Sequence, residues 1–138
     1  MKLSKAERVK KFGEVFTPVK TVREMCDMLE EESRGCFEPA RTFLEPACGD
    51  GAFVAEILRR KFDRCKCRRD YTVALESVYG FEIQADNVEK CIQNLMILCC
   101  QYFKPTKAEE QIISDHIIQC DGLKVMKLLA RMNEKEAT

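Results

Sequence analysis

The chain has no tryptophan, a single histidine (His116) and four prolines, no two of them adjacent. Lys+Arg and Asp+Glu stand at 23 each, so no net field draws the whole molecule toward a polyanion or an acidic surface. No apolar run approaches the length of a bilayer span, which argues against a membrane protein. Met1–Lys11 is polar and basic with no apolar stretch behind it, so nothing reads as a secretory leader. The cysteines at 26, 36, 48, 65, 67, 91, 99, 100 and 120 never form paired C-x2-C knuckles. With one imidazole to assist them, they give no zinc-ligand spacing, and no metal is expected.

What is present describes a small folded domain. The 138 residues are 46% hydrophobic, enough for one core, and 33% charged, an ordinary solvated surface. An odd number of cysteines without a leader reads as a cytoplasmic chain with reduced, mostly buried thiols. Two stretches are locally basic. Residues 1–23 hold seven Lys/Arg against Glu7 and Glu14, and 59–69 hold seven against Asp63 alone. Lacking interleaved aromatics, both read as solvated helix faces before they read as a nucleic-acid surface.

Periodicity sets the order of elements. Ser4-x-x-Glu7 can cap a short basic helix running to about Lys11. Pro18 suits the first position of a second helix carrying Val22, Met25 and Leu29, and Thr21-x-x-Glu24 offers another start one turn on. Thr42–Glu45 reads as a strand, followed by the bend Cys48-Gly-Asp-Gly51 and a helix with Val54, Ile57, Leu58 and Phe62 on one face. Residues 68–77 suit a short helix, Val78–Ile83 a second strand, and Asp86–Phe103 a long amphipathic helix. The stretch 108–114 is ambiguous, Ile117–Cys120 is a third strand, and Leu123–Leu129 opens a last helix. This alternation implies an α/β fold: a parallel sheet of about three strands flanked by helices, with ligands bound beyond the carboxyl ends of the strands.

Each strand ends in an acid: Glu45, Glu82 and Asp121. Gly49 and Gly51 follow the first, where glycine permits a tight turn and a close ligand approach. A dinucleotide fingerprint fits poorly. Its third glycine position is Val54, Asp50 would face a pyrophosphate, and Glu82 lies beyond the roughly 20-residue spacing expected of that fingerprint. A cationic nucleoside suits the charges better. In S-adenosylmethionine, Glu45 and Asp50 would balance the sulfonium and ammonium while backbone N–H groups at the turn meet the carboxylate. Glu82 would accept the ribose hydroxyls, Asp121 the adenine amino proton, and Ile83 and Leu123 would sandwich the ring. The plainer alternative is that strand-end acids are helix caps.

Phe12-Gly-Glu-Val-Phe-Thr-Pro18 followed by Phe43-Leu-Glu-Pro-Ala-Cys-Gly-Asp-Gly-Ala-Phe-Val54 resembles the adenine-specific DNA methyltransferases of restriction–modification systems. The likeness extends through Tyr79-Gly-Phe-Glu-Ile83 and Cys120-Asp-Gly-Leu123. It implies a truncated Rossmann-like class I methyltransferase fold. A helical segment with the Phe-Thr-Pro motif would occupy 1–34, and a partial S-adenosylmethionine-binding domain 35–138. By resemblance, Phe16, Thr17 and Pro18 close over the methionine end of the cofactor. Glu45, Pro46, Ala47, Cys48, Gly49, Asp50 and Gly51 form its floor with Phe53, Glu82 holds the ribose, and Asp121, Gly122 and Leu123 hold the adenine. Cys48 reads as packing, since no Pro-Cys pair of the cytosine-methylating kind occurs.

The family's amino-methylating members carry Asn/Asp-Pro-Pro-Tyr/Phe after a fourth strand, and no Pro-Pro dipeptide exists here. The isolated chain is therefore expected to carry no catalytic residue and to be inactive alone. The first strand would be an open edge, paired with a second copy or with a complementary methyltransferase subunit, and DNA would be met through that complex. Other readings are a non-catalytic cofactor-binding or regulatory module, a degenerate remnant, and a dinucleotide-binding oxidoreductase fragment.

Overall fold

A computed structural model describes residues 4, 6–7 and 17–137. Beyond the start, the elements are α1 (Val19–Glu32), β1 (Phe43–Glu45), α2 (Ala52–Asp63), α3 (Arg68–Glu76), β2 (Val78–Glu82), α4 (Ala85–Tyr102), α5 (Lys107–His116), β3 (Ile117–Gln119) and α6 (Gly122–Ala137). The three strands form one parallel sheet in the order β1-β2-β3. Phe43 pairs with Val78 and Glu45 with Gly80; Gly80 pairs with Ile117 and Glu82 with Gln119. β2 is central, and β1 is an edge among the described residues.

Strand alternation divides the sheet into two unlike faces. Val78 and Ile117 point into a core shared with Val54, Ile57 and Leu58 of α2, Leu75 of α3, Leu95 of α4 and Ile113 of α5. The register pairs Leu44–Tyr79 and Phe81–Ile118 lie on the other face, with Leu44 37% and Ile118 39% exposed. At the far end of the core, Phe62 is ringed by Tyr71, Tyr102 and Phe103 at centroid distances of 5.3–5.6 Å, which ties α2, α3 and the end of α4 together.

Several local expectations are refined. Ser4 and Glu7 do exchange capping bonds, at 3.1 and 3.2 Å. Pro18 is the N-cap of α1 rather than its first helical residue. The buried stripe of α1 is Val22 and Cys26, whereas Met25 and Leu29 are 45% and 43% exposed. The ambiguous stretch is helix α5, fixed by a capping box: Glu109 N–H donates to Thr106 Oγ1 at 3.2 Å, and Thr106 N–H donates to Glu109 Oε1 at 2.9 Å.

The basic run 59–69 is divided: Lys66, Arg68 and Arg69 are exposed, as a solvated face requires, while Arg59, Arg60, Lys61 and Arg64 are drawn into the fold. Arg60 donates to Glu56 (3.0 Å), Asp27 (2.8 Å) and Glu30 (3.4 Å), Arg59 donates to Glu56 (2.7 Å), and Arg64 pairs with Glu30. This network clamps α1 onto α2. Lys61 is fully buried, its Nζ donating to the carbonyls of Glu38 (2.9 Å), Pro39 (3.1 Å) and Arg41. Burial pulls its pKa down to about 8. That side chain pins the loop entering β1. Arg68 reaches across to Glu109 of α5. Five of the seven basic residues of this run, Arg59, Arg60, Lys61, Arg64 and Arg68, are thus internal ties.

All nine cysteines are free, with Cys26, Cys36, Cys48, Cys91 and Cys99 buried. Among the described residues, no group of three or more His, Cys, Asp or Glu is arranged to hold a metal ion, and no helix is long and apolar enough to cross a membrane.

Candidate cofactor cleft

The parallel sheet brings the carboxyl ends of all three strands to one rim. Past β1 the chain turns over the tip of β2, where the Cys48 amide donates to the Phe81 carbonyl at 2.8 Å. Gly49 and Gly51 then adopt left-handed backbone, φ 57° and 98°, and α2 begins at Ala52. A side chain at Gly51 would be strained twice over, because its Cβ would also fall 2.7 Å from Cys91 Sγ on α4. Past β3, the Cys120 amide donates to the Glu82 carbonyl at 3.1 Å, carrying the ladder to the rim. Gly122 then lies against the Pro46 carbonyl and Phe81, where any side chain would collide. The two loops flanking β2 therefore touch above it.

The three acids stand in this rim with related but unequal surroundings. Glu45 is half-buried and accepts the Ala47 amide on Oε1 at 3.1 Å. Glu82 is 7% exposed; its Oε2 accepts the Gln84 amide at 2.8 Å and the Asn87 side-chain amide at 3.4 Å. Asp121 is half-buried and caps α6, its Oδ1 accepting the Lys124 amide at 3.2 Å. Each acid thus uses one oxygen on nearby backbone, but only Asp121 does so as a helix cap; α2 and α4, which follow Glu45 and Glu82, have Gly51 and Gln84 as N-caps with no side-chain cap bond. Among the described residues none of the three pairs with a lysine or arginine. No basic side chain of the described residues cancels their negative charge, which suits a cationic ligand and opposes a pyrophosphate.

The remaining candidates distribute unevenly. Asp50 is half-buried in the glycine turn and its carbonyl accepts from the Asn94 side chain at 3.1 Å. Ala47 is exposed beside it and Pro46 half-buried. Ile83 and Leu123, at the tips after β2 and β3, are exposed apolar side chains, 44% and 62%. Phe53 is half-buried in the first turn of α2 and packs on the core behind the turn. Thr17 (half-buried) and Pro18 (exposed) lie at the start of α1, the helix docked on α2, and Phe16 lies outside the described residues.

Cys48 is 6% exposed and fits over Gly80, whose added Cβ would stand 3.0 Å from its sulfur. A hydrogen bond with the Cys91 thiol, and then burial, push the Cys48 thiol far up. It is packed and protonated, in no state to act as a nucleophile.

Gly80, Asn87, Cys91 and Asn94 were not marked as site residues by sequence alone. Gly80 sits inside the matched Tyr-Gly-Phe-Glu segment. The other three lie on α4, where nothing in a single sequence distinguishes a helix residue facing a ligand-binding turn from one facing solvent or core.

The described residues fit S-adenosylmethionine in kind. In the glycine turn the Cys48 and Gly51 amides are taken by backbone carbonyls, while those of Gly49 and Asp50 have no partner among the described residues and suit a carboxylate. Acids without a cation among the described residues suit the cations and hydroxyls, and two apolar side chains at neighbouring tips suit an adenine. A family model described as N-6 DNA methylase matches residues 2–121. No curated protein and no solved structure matches the chain.

Proposed function

The chain belongs to the N-6 DNA methylase family, and from that premise we propose that it is the S-adenosylmethionine-binding portion of an adenine amino-methyltransferase of the restriction–modification kind. One observation carries this reading: Glu45, Glu82 and Asp121 converge on one sheet rim beside a left-handed glycine turn, and none is neutralised by a basic side chain of the described residues. In the bound state the turn's amides would hold the methionine carboxylate. Glu82 would hold the ribose, Asp121 the adenine amino group, and Ile83 and Leu123 the adenine faces. The cofactor supplies an electrophilic methyl group on a sulfonium. The protein's part is to orient it in line with an incoming amino nitrogen and to exclude water from it.

Acceptor recognition is a separate matter. These 138 residues contain no Pro-Pro dipeptide and hence no Asn/Asp-Pro-Pro-Tyr/Phe element to seat a flipped adenine. In this reading a second polypeptide surface, from another copy or from a complementary subunit, pairs with the open β1 edge and brings that element.

Equilibrium dialysis with radiolabelled S-adenosylmethionine, together with a methyl-incorporation assay on DNA, tests the reading. Saturable binding at one site per chain without transfer to DNA is expected. No binding overturns the proposal, and methyl incorporation by the purified chain overturns its account of the acceptor site.

A further inference from the structure

Helix α4 reaches the proposed cofactor cleft at three points one turn apart. Near its start, the Asn87 side-chain amide donates to Glu82 Oε2 at 3.4 Å, and Asn87 is fully buried. One turn on, Cys91, also fully buried, lies under the glycine turn, with its sulfur 2.7 Å from where a Gly51 side chain would begin. Almost a turn further, the Asn94 side chain donates to the Asp50 carbonyl at 3.1 Å. Spacings of four and three residues place all three on one stripe of one helix. The same stripe thus touches the acid at the tip of β2 and the turn at the tip of β1.

The contacts differ in what they fix. The Asp50–Gly51 peptide plane is held from both sides, its N–H donating to the Cys48 carbonyl at 2.9 Å and its carbonyl accepting from Asn94, so Asn94 helps fix the shape of the turn between the left-handed Gly49 and Gly51. The Asn87 side chain, with the Gln84 amide at 2.8 Å, holds Glu82 Oε2 and so steadies the Glu82 rotamer. These are distant ends of one ligand: the turn faces the amino-acid end, Glu82 the nucleoside end.

We propose that Asn94 and Asn87 are positioning residues of the cofactor cleft, Asn94 for the amino-acid end of the ligand and Asn87 for its nucleoside end, with α4 as the rigid bar that sets the distance between them. This deepens the S-adenosylmethionine reading and rests on it. Asn94 is the cleaner probe. It is exposed, in an open groove between α2 and α4, so shortening it leaves no cavity in the core.

The test compares two ligands, S-adenosylmethionine and 5′-methylthioadenosine, which shares the nucleoside but lacks the amino-acid group. Dissociation constants are measured for the wild type, Asn94→Ala, Asn94→Asp and Asn87→Ser. Both Asn94 variants lose the donor and should bind S-adenosylmethionine about five-fold more weakly, the effect of one neutral hydrogen bond, with 5′-methylthioadenosine unchanged. Asn87→Ser should weaken both ligands by the same factor. A purely structural role would move the two ligands together in every variant, and that result, or no change with Asn94→Ala, overturns the inference while leaving the cofactor reading intact. A wild-type chain that binds neither ligand overturns the cofactor reading itself, and the inference with it. Should Asn87→Ser fail to fold, the two Asn94 variants still decide the matter.

Discussion

Two populations of carboxylate coexist in this small domain, and their surroundings are opposite. Glu109 is 2% exposed and is held by Arg68, by Thr72 at 2.7 Å and by Thr106. Glu56, nearly as buried, is flanked by Arg59 and Arg60 with Arg23 at 3.9 Å. These acids bind helix to helix. Glu45, Glu82 and Asp121 have backbone amides on one oxygen and no cation among the described residues. Burial does not separate the groups, since Glu82 is as hidden as Glu56. What separates them is whether the described residues supply the counter-charge. An acid with its own arginine stabilises the protein; a sheltered acid without one stabilises whatever positive or hydrogen-donating group arrives.

That contrast predicts where each substitution acts. The largest effect falls on Glu109. Its carboxyl is held at about 2 by Arg68 above all, aided by the Thr106 and Thr72 bonds and opposed by burial. A depressed carboxylate contributes stability that is full above its unfolded value near 4.5 and is lost as pH falls through about 2. Glu109→Gln should therefore lower unfolding free energy in urea at neutral pH by about 3 kcal/mol, with cofactor affinity unchanged. It should also flatten the fall in stability between pH 5 and 2. A variant as acid-sensitive as the wild type would contradict the assignment of Glu109.

Glu82→Ala should do the reverse: weaken S-adenosylmethionine binding by about 2 kcal/mol, read by calorimetry, through loss of charge-assisted bonds to the ribose. Unchanged affinity would remove Glu82 from the cleft and place it with the structural acids. Asp121→Asn is gentler, because the amide keeps an acceptor for both the Lys124 cap and an adenine amino proton. About 1 kcal/mol of affinity should be lost, with stability barely moved. A stability loss larger than the affinity loss would make Asp121 a helix cap and nothing more.

How much of this was readable beforehand follows from which interactions are local. The strands, their order along the chain, and the rim of acids came from periodicity and from residues adjacent in sequence. The glycine turn was legible in Gly49 and Gly51, which permit a tight turn and which the structure places in left-handed backbone. Helix α5 stayed ambiguous although Thr106-x-x-Glu109 carries a capping-box signature, and the starting residues of that box lay just outside the stretch considered. The ion pairs of the basic run 59–69 were not legible because the partners Asp27, Glu30 and Glu109 are 30–41 residues away and become neighbours only when α1 and α5 dock. The α4 stripe was invisible for the same reason. Asn87 and Asn94 look like any polar residues in an amphipathic helix until the sheet sets Glu82 and Asp50 against them.

The likeness of family and the chemistry of the rim meet in one claim, that uncompensated negative charge at the strand tips selects a positively charged nucleoside. Titration calorimetry of the chain with S-adenosylmethionine and, separately, with NAD measures this directly. The account predicts a one-to-one exothermic isotherm for S-adenosylmethionine and none for NAD, whose pyrophosphate would meet Asp50. Equal affinity for both, or heat from NAD alone, would contradict it.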